Sequence, residues 1–143
     1  MQFREVISAP FWLIAFVYFI FLSVVLSIWA ALGDTPALIT FIILTFLLIV
    51  IYQKTKLVIE LDDMQLRVGP AHIERKYIGQ SIHLDPAALK LVRGRDADPA
   101  AYLGIRFWNP NGVKMLVNDS RDSTPYWLIT SKRGQELTAL LNK

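Results

Sequence analysis

The sequence predicts a membrane α-helical hairpin followed by a soluble, mainly β domain of about six or seven antiparallel strands closed by a C-terminal amphipathic helix. Two observations predict the hairpin: residues 6–33 carry no charge, and after Asp34 residues 35–53 are again uncharged. A helix rises about 1.5 Å per residue, so about 20 apolar residues cross the hydrocarbon core of a bilayer. Alternating apolar residues from Leu57 onward predict the β domain.

The hairpin is predicted over residues 10–53, with spans at about 11–32 and 36–53, after a cytoplasmic segment of residues 1–9. Pro10 and Pro36 suit the first position of a helix, and Gly33 suits a helix end. A cleaved signal peptide has an apolar region of only about 7–15 residues. Two long apolar runs in succession therefore favour a permanent membrane anchor.

The charges beside the spans predict the orientation. Arg4, Lys54 and Lys56 flank the hairpin, whereas the connecting turn carries only Asp34. Because cationic residues favour the cytoplasmic side, we expect a cell-membrane protein with two spans and both termini in the cytoplasm. Neither span contains an ionisable Asp, Glu, Lys, Arg or His, which disfavours a transport function for this chain alone.

Small residues on the first span indicate close helix packing. Ser23 and Ser27 share one helix face, and Ala30 follows about one turn later. Small side chains let membrane helices approach closely. The second span of the same chain is the favoured partner, and a helix of another protein is the alternative.

Composition excludes several functions of the soluble domain, which is predicted over residues 54–143. The chain has no cysteine, which excludes disulfides, thiol catalysis and thiolate metal sites. Its net charge is +3 over 143 residues, without the basic stripe that nucleic-acid binding requires. We therefore expect no nucleic-acid partner and a domain compatible with an anionic membrane surface.

Apolar alternation predicts the strands of this domain. They are expected at residues 54–62, 65–69, 72–84 (with a break near 79), 101–108, 113–117 and 126–131. The expected inward residues of the third and fourth strands are Ile73, Ile78, Ile82, Leu84, Leu103, Ile105 and Phe107.

The connections follow from turn and cap residues. Asp85 and Pro86 are consistent with a short helix, although residues 85–99 are also consistent with a loop. Asn109–Gly112 predicts a tight hairpin between the strands on either side. Ser131 is the predicted N-cap of the last helix, whose apolar face is formed by Leu137, Leu140 and Leu141.

A small curved antiparallel sheet closed by a C-terminal helix resembles the pleckstrin-homology-like fold. The whole chain also resembles an uncharacterised family of small actinobacterial membrane proteins with two helices. The resemblance rests on Phe3-Arg4-Glu5, Pro10-Phe11-Trp12, Leu66-Arg67-Val68-Gly69 and residues 97–102 and 122–133. It implies a membrane anchor that carries a pleckstrin-homology-like domain, and it implies no activity.

No residue pattern predicts catalysis. His72 and His83 lack a third converging ligand, so we predict no metal site. Asp96 and Asp98 lie in a polar loop, where they are expected to cap a turn. No nucleophile motif or phosphate-binding loop is present, so no catalytic residue and no cofactor are predicted.

The densest cations give the candidate site. We predict that Lys54, Lys56, Lys90, Arg93 and Arg95 contact lipid headgroups, the alternative being an ordinary solvated face. The predicted function is a membrane-anchored, non-enzymatic binding or scaffolding module at the cytoplasmic membrane surface. Its expected partners are the bilayer and a membrane protein. An accessory subunit of a larger membrane complex is the alternative, and a membrane-bound enzyme is the least favoured.

Overall fold

Two apolar helices, α1 (Phe11–Leu32) and α2 (Asp34–Thr55), form a hairpin in the computed structural model, which describes residues 1–143. By length and composition alone, both are able to cross a membrane. Helix α1 has the bounds expected for the first span. The second helix begins two residues earlier and ends two residues later than predicted.

Gly33 alone joins the two helices. It has a φ of 87°, a conformation that glycine adopts readily and other residues avoid. Half-buried residues recur every three or four positions on the facing sides of the helices. They are Ile14, Val17, Phe21, Val25 and Ile28 on α1, and Thr40, Leu44, Leu48 and Ile51 on α2.

Residues 1–7 and 57–143 form a second compact unit. Its strands are β1 (Phe3–Ile7), β2 (Leu57–Leu61), β3 (Gln65–Val68), β4 (Ala71–Glu74), β5 (Ile78–Leu84), β6 (Tyr102–Gly104), β7 (Gly112–Val117) and β8 (Tyr126–Thr130). Its helices are α3 (Pro86–Arg93) and α4 (Gly134–Leu141), with a short 3₁₀ turn at Arg75–Tyr77.

The eight strands form two four-stranded sheets. The first has the order β1-β2-β3-β4 and is antiparallel throughout. The second has the order β5-β7-β8-β6, in which β6 runs parallel to β8. The Tyr102 hydroxyl of the second sheet donates a 3.0 Å hydrogen bond to the Val68 carbonyl of the first, so a polar contact as well as the core joins them.

The N-terminal strand corrects the predicted organisation. Residues 1–9 were expected to lie outside the soluble domain, but β1 pairs with β2 from Phe3 opposite Leu61 to Ile7 opposite Leu57. Phe3, Glu5 and Ile7 point inward and are buried. The hairpin is therefore inserted between two neighbouring strands of one sheet.

The region of β6 also differs from the prediction. The expected strand over 101–108 covers only three residues, and Leu103 and Phe107 are 54% and 65% exposed. The expected hairpin at Asn109–Gly112 is wrong, because β6 pairs with β8 and not with β7. No residue other than glycine has a positive φ, so Asn111 does not adopt the conformation of an Asn-Gly hairpin turn.

The predicted strand over 72–84 is divided into β4 and β5 by the 3₁₀ turn. Ile73 and Leu84 are buried as expected, but Ile82 is 48% exposed. The register of β5 against β7 shifts between Ile78 and Ser81, which is a strand irregularity close to the predicted break.

One apolar core extends across both sheets and the closing helix. Ile59, Val68, Met115, Ile129 and Leu137 are among its fully buried members. The predicted apolar face of α4 is confirmed for Leu137 and Leu141, whereas Leu140 is half-buried.

The end of α4 is fixed to the second sheet by Asn142, the residue that follows the helix. The Asn142 side chain accepts a 3.0 Å hydrogen bond from the Ser81 N–H and donates a 2.8 Å bond to the Ser81 carbonyl. The helix is therefore held to the middle of β5 through polar as well as apolar contacts.

Candidate functional site

Helix α3 carries the candidate site, and the residues around its start account for its position. The Asp85 carboxylate accepts a 2.7 Å hydrogen bond from the Ala88 N–H, and Pro86 occupies the first turn. This cap is the one predicted from the sequence, and it resolves residues 86–93 as a helix. Leu89 is 2% exposed and joins a small core with Leu84 and Leu128.

The exposed part of α3 combines charged and apolar side chains. Lys90 and Arg93 are exposed, and Leu91, which lies between them in the sequence, is 45% exposed. We call Lys90, Leu91, Arg93 and Arg95 the α3 face. A groove of about 670 Å³ runs along it, lined also by Ala87 and Gly94.

The predicted cations of the α3 face are thus brought together by one helix and the turn after it. Arg95 forms a 3.1 Å ion pair with Asp96, and both side chains are largely exposed. Lys90 and Arg93 form no ion pair, so their charges are available to an external anion. The apolar member, Leu91, was not part of the sequence prediction.

Lys54 and Lys56 belong to the hairpin unit and not to the α3 face. Lys54 lies in the last turn of α2, where a cation complements the helix dipole. The Lys56 ammonium lies 4.8 Å from the centre of the Tyr52 ring. A cation beside an aromatic ring at the end of an apolar helix suits the headgroup level of a bilayer.

A second arrangement joins the N-terminal strand to the start of α4. The buried Glu5 carboxylate accepts a 2.6 Å hydrogen bond from the Ser131 hydroxyl and a 2.9 Å bond from the Lys132 N–H. The Arg133 guanidinium lies 4.7 Å from the centre of the Phe3 ring. Ser131 therefore does not cap α4, which has no side-chain cap.

The two segments that meet here, residues 3–5 and 131–133, are among those on which the family resemblance rests. Residues 2–141 match the model of a family described as proteins of unknown function, DUF3093. The chain belongs to the DUF3093 family. No curated protein and no solved structure matches it significantly.

The small-residue face of this DUF3093 chain does not lie where the favoured prediction placed it. Ser23, Ser27 and Ala30 are exposed, so they do not pack against α2. The Ser23 hydroxyl donates to the Phe19 carbonyl at 3.0 Å and the Ser27 hydroxyl to the Ser23 carbonyl at 2.9 Å. Both hydroxyls are hydrogen-bonded within α1, so the outward face presents small, uncharged side chains.

The histidines do not converge. His72 is exposed on β4, whereas His83 is half-buried beside Gly134 in a polar cleft of about 430 Å³ at the start of α4. The His83 Nδ1 atom is buried and has no hydrogen-bond partner. No group of three or more His, Asp or Glu side chains is arranged to hold a metal ion.

The pKa shifts of this DUF3093 chain fall on structural contacts. Hydrogen bonds from Arg121 lower the pKa of Asp119, and a side-chain hydrogen bond from Lys76 to Glu74 raises the pKa of Lys76. Burial raises the pKa of Tyr102, whose hydroxyl bonds the Val68 carbonyl. None of these groups belongs to the α3 face.

Proposed function

We propose that this protein is a membrane-anchored, non-enzymatic binding module. In this proposal α1 and α2 span the cell membrane, and the α3 face contacts anionic lipid headgroups on the cytoplasmic side. The single observation that carries it is that the exposed apolar side chain of Leu91 and the unpaired cations Lys90 and Arg93 line one groove. Such a combination suits the boundary between headgroups and acyl chains.

The pairing of β1 with β2 supports the two-span topology. Ile7 and Leu57 are opposite each other in one sheet, so residues 1–7 and 57–143 must occupy the same side of a membrane. The hairpin must then cross an even number of times. Arg4, Lys54 and Lys56 favour the cytoplasm for that side.

The expected binding free energy of the α3 face suits a protein that is already anchored in the membrane better than one that must be recruited from solution. Each cation near an anionic surface contributes about 1 kcal/mol, and burial of a leucine contributes about 1.5–3 kcal/mol. These terms alone give weak binding. Attachment through the hairpin makes the contact intramolecular, and a short tether gives an effective concentration on the order of millimolar, so a weak contact is enough to orient the domain.

We further propose that the β domain is pleckstrin-homology-like. Two sheets around a common core and a C-terminal helix that covers the second sheet support this assignment. The parallel β6–β8 pair departs from a purely antiparallel arrangement. The comparison concerns architecture and does not imply a ligand.

The absence of cysteine makes the proposal testable by single-cysteine labelling. The full chain carrying Leu91→Cys is reconstituted in nanodiscs of zwitterionic or of partly anionic lipid, and the rate of maleimide labelling is measured. We expect labelling to be several-fold slower with anionic lipid, and the difference to shrink at high salt, because surface charges are screened over about 10 Å at 0.1 M ionic strength.

Two matched variants define the outcome. Met64→Cys is the control, because Met64 is 77% exposed in the turn after β2, and its labelling is expected to ignore lipid charge. Adding Lys90→Ala and Arg93→Ala to Leu91→Cys is expected to remove the lipid effect. Equal labelling of Leu91→Cys in both lipids would overturn the proposal.

An accessory subunit of a membrane complex is the second candidate. The outward position of Ser23, Ser27 and Ala30 favours it, since this face has no partner within the chain and small residues permit close helix contact. Cross-linking from Ser27→Cys in native membranes tests it. A single stoichiometric partner supports the subunit function, and cross-links to lipid alone contradict it.

A further inference from the structure

A shallow apolar groove of about 340 Å³ lies between α1 and α2 at their connected end. Its apolar lining is formed by Leu22, Val25, Leu26, Ala37, Leu38 and Phe41. Trp29 and Asp34 complete the lining on the side of the Gly33 connection. The groove therefore has a long apolar part and one polar end.

The polar end is an unneutralised carboxylate. The Trp29 indole N–H donates a 2.6 Å hydrogen bond to Asp34 Oδ1, and Asp34 forms no ion pair. Asp34 is also the only formally charged residue between Glu5 and Lys54. It begins α2, where the partial positive charge of the helix N-terminus attracts an acidic side chain. A cation from outside the chain would complement the Asp34 charge at this end of the groove.

The dimensions of the groove indicate what fills the apolar part. Residues 22–29 of α1 extend about 10 Å along the axis at 1.5 Å per residue. The groove has a volume of about 340 Å³ over that length and is lined by apolar side chains, so it accommodates a single hydrocarbon chain lying along it.

A second copy of the chain is a poor occupant for an electrostatic reason. Copies in one membrane share an orientation, so docking at this groove brings two Asp34 carboxylates to the same level. The last turn of α1 contains no basic residue that would neutralise them. Like charges near one another are destabilising, so charge disfavours self-association here.

We propose that this groove binds an amine-bearing phospholipid, with one acyl chain along the apolar lining and the headgroup ammonium on the Asp34 carboxylate. The Trp29 ring adds an aromatic surface for the same cation. The inference rests on the proposed membrane-spanning position of the hairpin. It adds a specific lipid site to a protein whose α3 face contacts lipid in general.

Native mass spectrometry of the full chain tests the site. The delipidated protein is incubated with equal amounts of two phospholipids that have identical acyl chains, one with an ethanolamine headgroup and one with a glycerol headgroup. We expect about three- to fivefold greater retention of the ethanolamine lipid, which is the preference that one exposed ion pair provides.

Three variants assign the preference to the groove. Asp34→Asn keeps an oxygen for the Trp29 indole but removes the charge, so the two lipids should be retained equally. Leu26→Trp fills the groove from a side chain that is 60% exposed, so retention of both should fall. Ile39→Trp is the control, since Ile39 is 54% exposed at a similar distance from the connection but outside the groove.

The outcomes separate this inference from the proposed function. Equal retention of both lipids by the wild-type chain, which requires no variant to fold, overturns the lipid site. So does a headgroup preference that survives Asp34→Asn. Failure of the chain to remain in membranes washed with alkaline carbonate would instead overturn the membrane-spanning hairpin on which the proposed function depends.

Discussion

The Glu5 carboxylate and the Ser131 hydroxyl lie 2.6 Å apart, although 126 residues separate them in the chain. Glu5 is 7% exposed and Ser131 is fully buried. The second oxygen of Glu5 accepts the Lys132 N–H at 2.9 Å. A buried carboxylate thus fixes the first strand of the domain to the connection between β8 and α4.

Replacement of Glu5 by Ala is expected to destabilise the domain by about 1–3 kcal/mol, because it leaves the buried Ser131 hydroxyl and the Lys132 N–H without an acceptor. Thermal unfolding of the detergent-solubilised chain measures the loss. Arg4→Ala is the matched control on the opposite face of β1, where the Arg4–Glu60 pair at 3.3 Å is partly exposed and contributes at most about 1 kcal/mol. Equal melting temperatures for the two variants would contradict the structural importance of Glu5.

The closing helix gives a prediction about packing. Leu137→Ala removes a fully buried side chain from the core and is expected to cost about 2–5 kcal/mol. Leu140→Ala, at the half-buried position, is expected to cost clearly less. Thermal unfolding of both variants checks the order, and a larger effect at Leu140 would mean that α4 presents a different face to the sheet.

Gly134 gives a prediction about close approach. A Cβ at this position would lie 2.6 Å from His83 Nδ1 and 3.3 Å from a Val113 methyl carbon. Gly134→Ala gains up to about 1 kcal/mol of helix propensity, but overpacking typically costs about 1–3 kcal/mol. We therefore expect net destabilisation, measured by thermal unfolding. Removal of the imidazole in the double variant Gly134→Ala/His83→Ala should relieve it, and strict additivity would show that the contact is not the cause.

Asp119 gives a prediction about pH. Arg121 lowers the pKa of Asp119 below its ordinary value of 3.8, and the Arg121 guanidinium also donates 2.6 Å to the Tyr77 hydroxyl. A carboxyl whose pKa is lowered on folding stabilises the protein above its unfolded pKa, and this contribution disappears as pH falls through the folded pKa. Asp119→Asn should therefore lower the melting temperature at pH 7, and the difference from the wild-type chain should shrink as the pH falls below 3.8. A melting-temperature difference that stays constant from pH 7 to below pH 3.8 would contradict this assignment.

The orientation of the hairpin gives a prediction about topology. A reporter that is active only in the cytoplasm should be active when fused after Lys143. Thr35 is exposed two residues after Gly33. The variant Thr35→Cys should therefore react with an impermeant maleimide that is added outside intact cells. Labelling of Thr35→Cys only after cell lysis would reverse the assigned orientation, and with it the lipid leaflet that the α3 face contacts.

Local patterns were sufficient for much of the architecture. The two long apolar helices, β8, the Asp85 cap and the buried face of α4 each depend on residues close together in sequence. Uninterrupted apolar runs, three- and four-residue spacing and a cap residue act within one element, so the sequence predicts them. The cations of the α3 face were found for the same reason, because one helix and its following turn hold all three.

The parts that sequence analysis missed depend on distant partners. Glu5 interrupts the apolar alternation of Phe3 and Ile7, and its reason for being buried is Ser131, far along the chain. The Asn111–Gly112 pair has the local preference of a hairpin, but parallel pairing of β6 with β8 prevails over it. No sequence pattern marks Leu91, because only the fold shows that this apolar side chain is exposed.

The insertion of the hairpin between β1 and β2 imposes an order on biosynthesis. Residues 3–7 leave the ribosome first, yet their partner strand begins only at Leu57, after both apolar helices have been made. At a synthesis rate of about 5–20 residues per second, β1 has no partner strand for several seconds. In the proposed membrane-spanning arrangement, insertion of the hairpin must return the nascent chain to the side where β1 lies before the first sheet can form. Delivery to the membrane and folding of the β domain would then be one coupled event, and a ribosome that stalls within α2 would leave β1 without its partner strand.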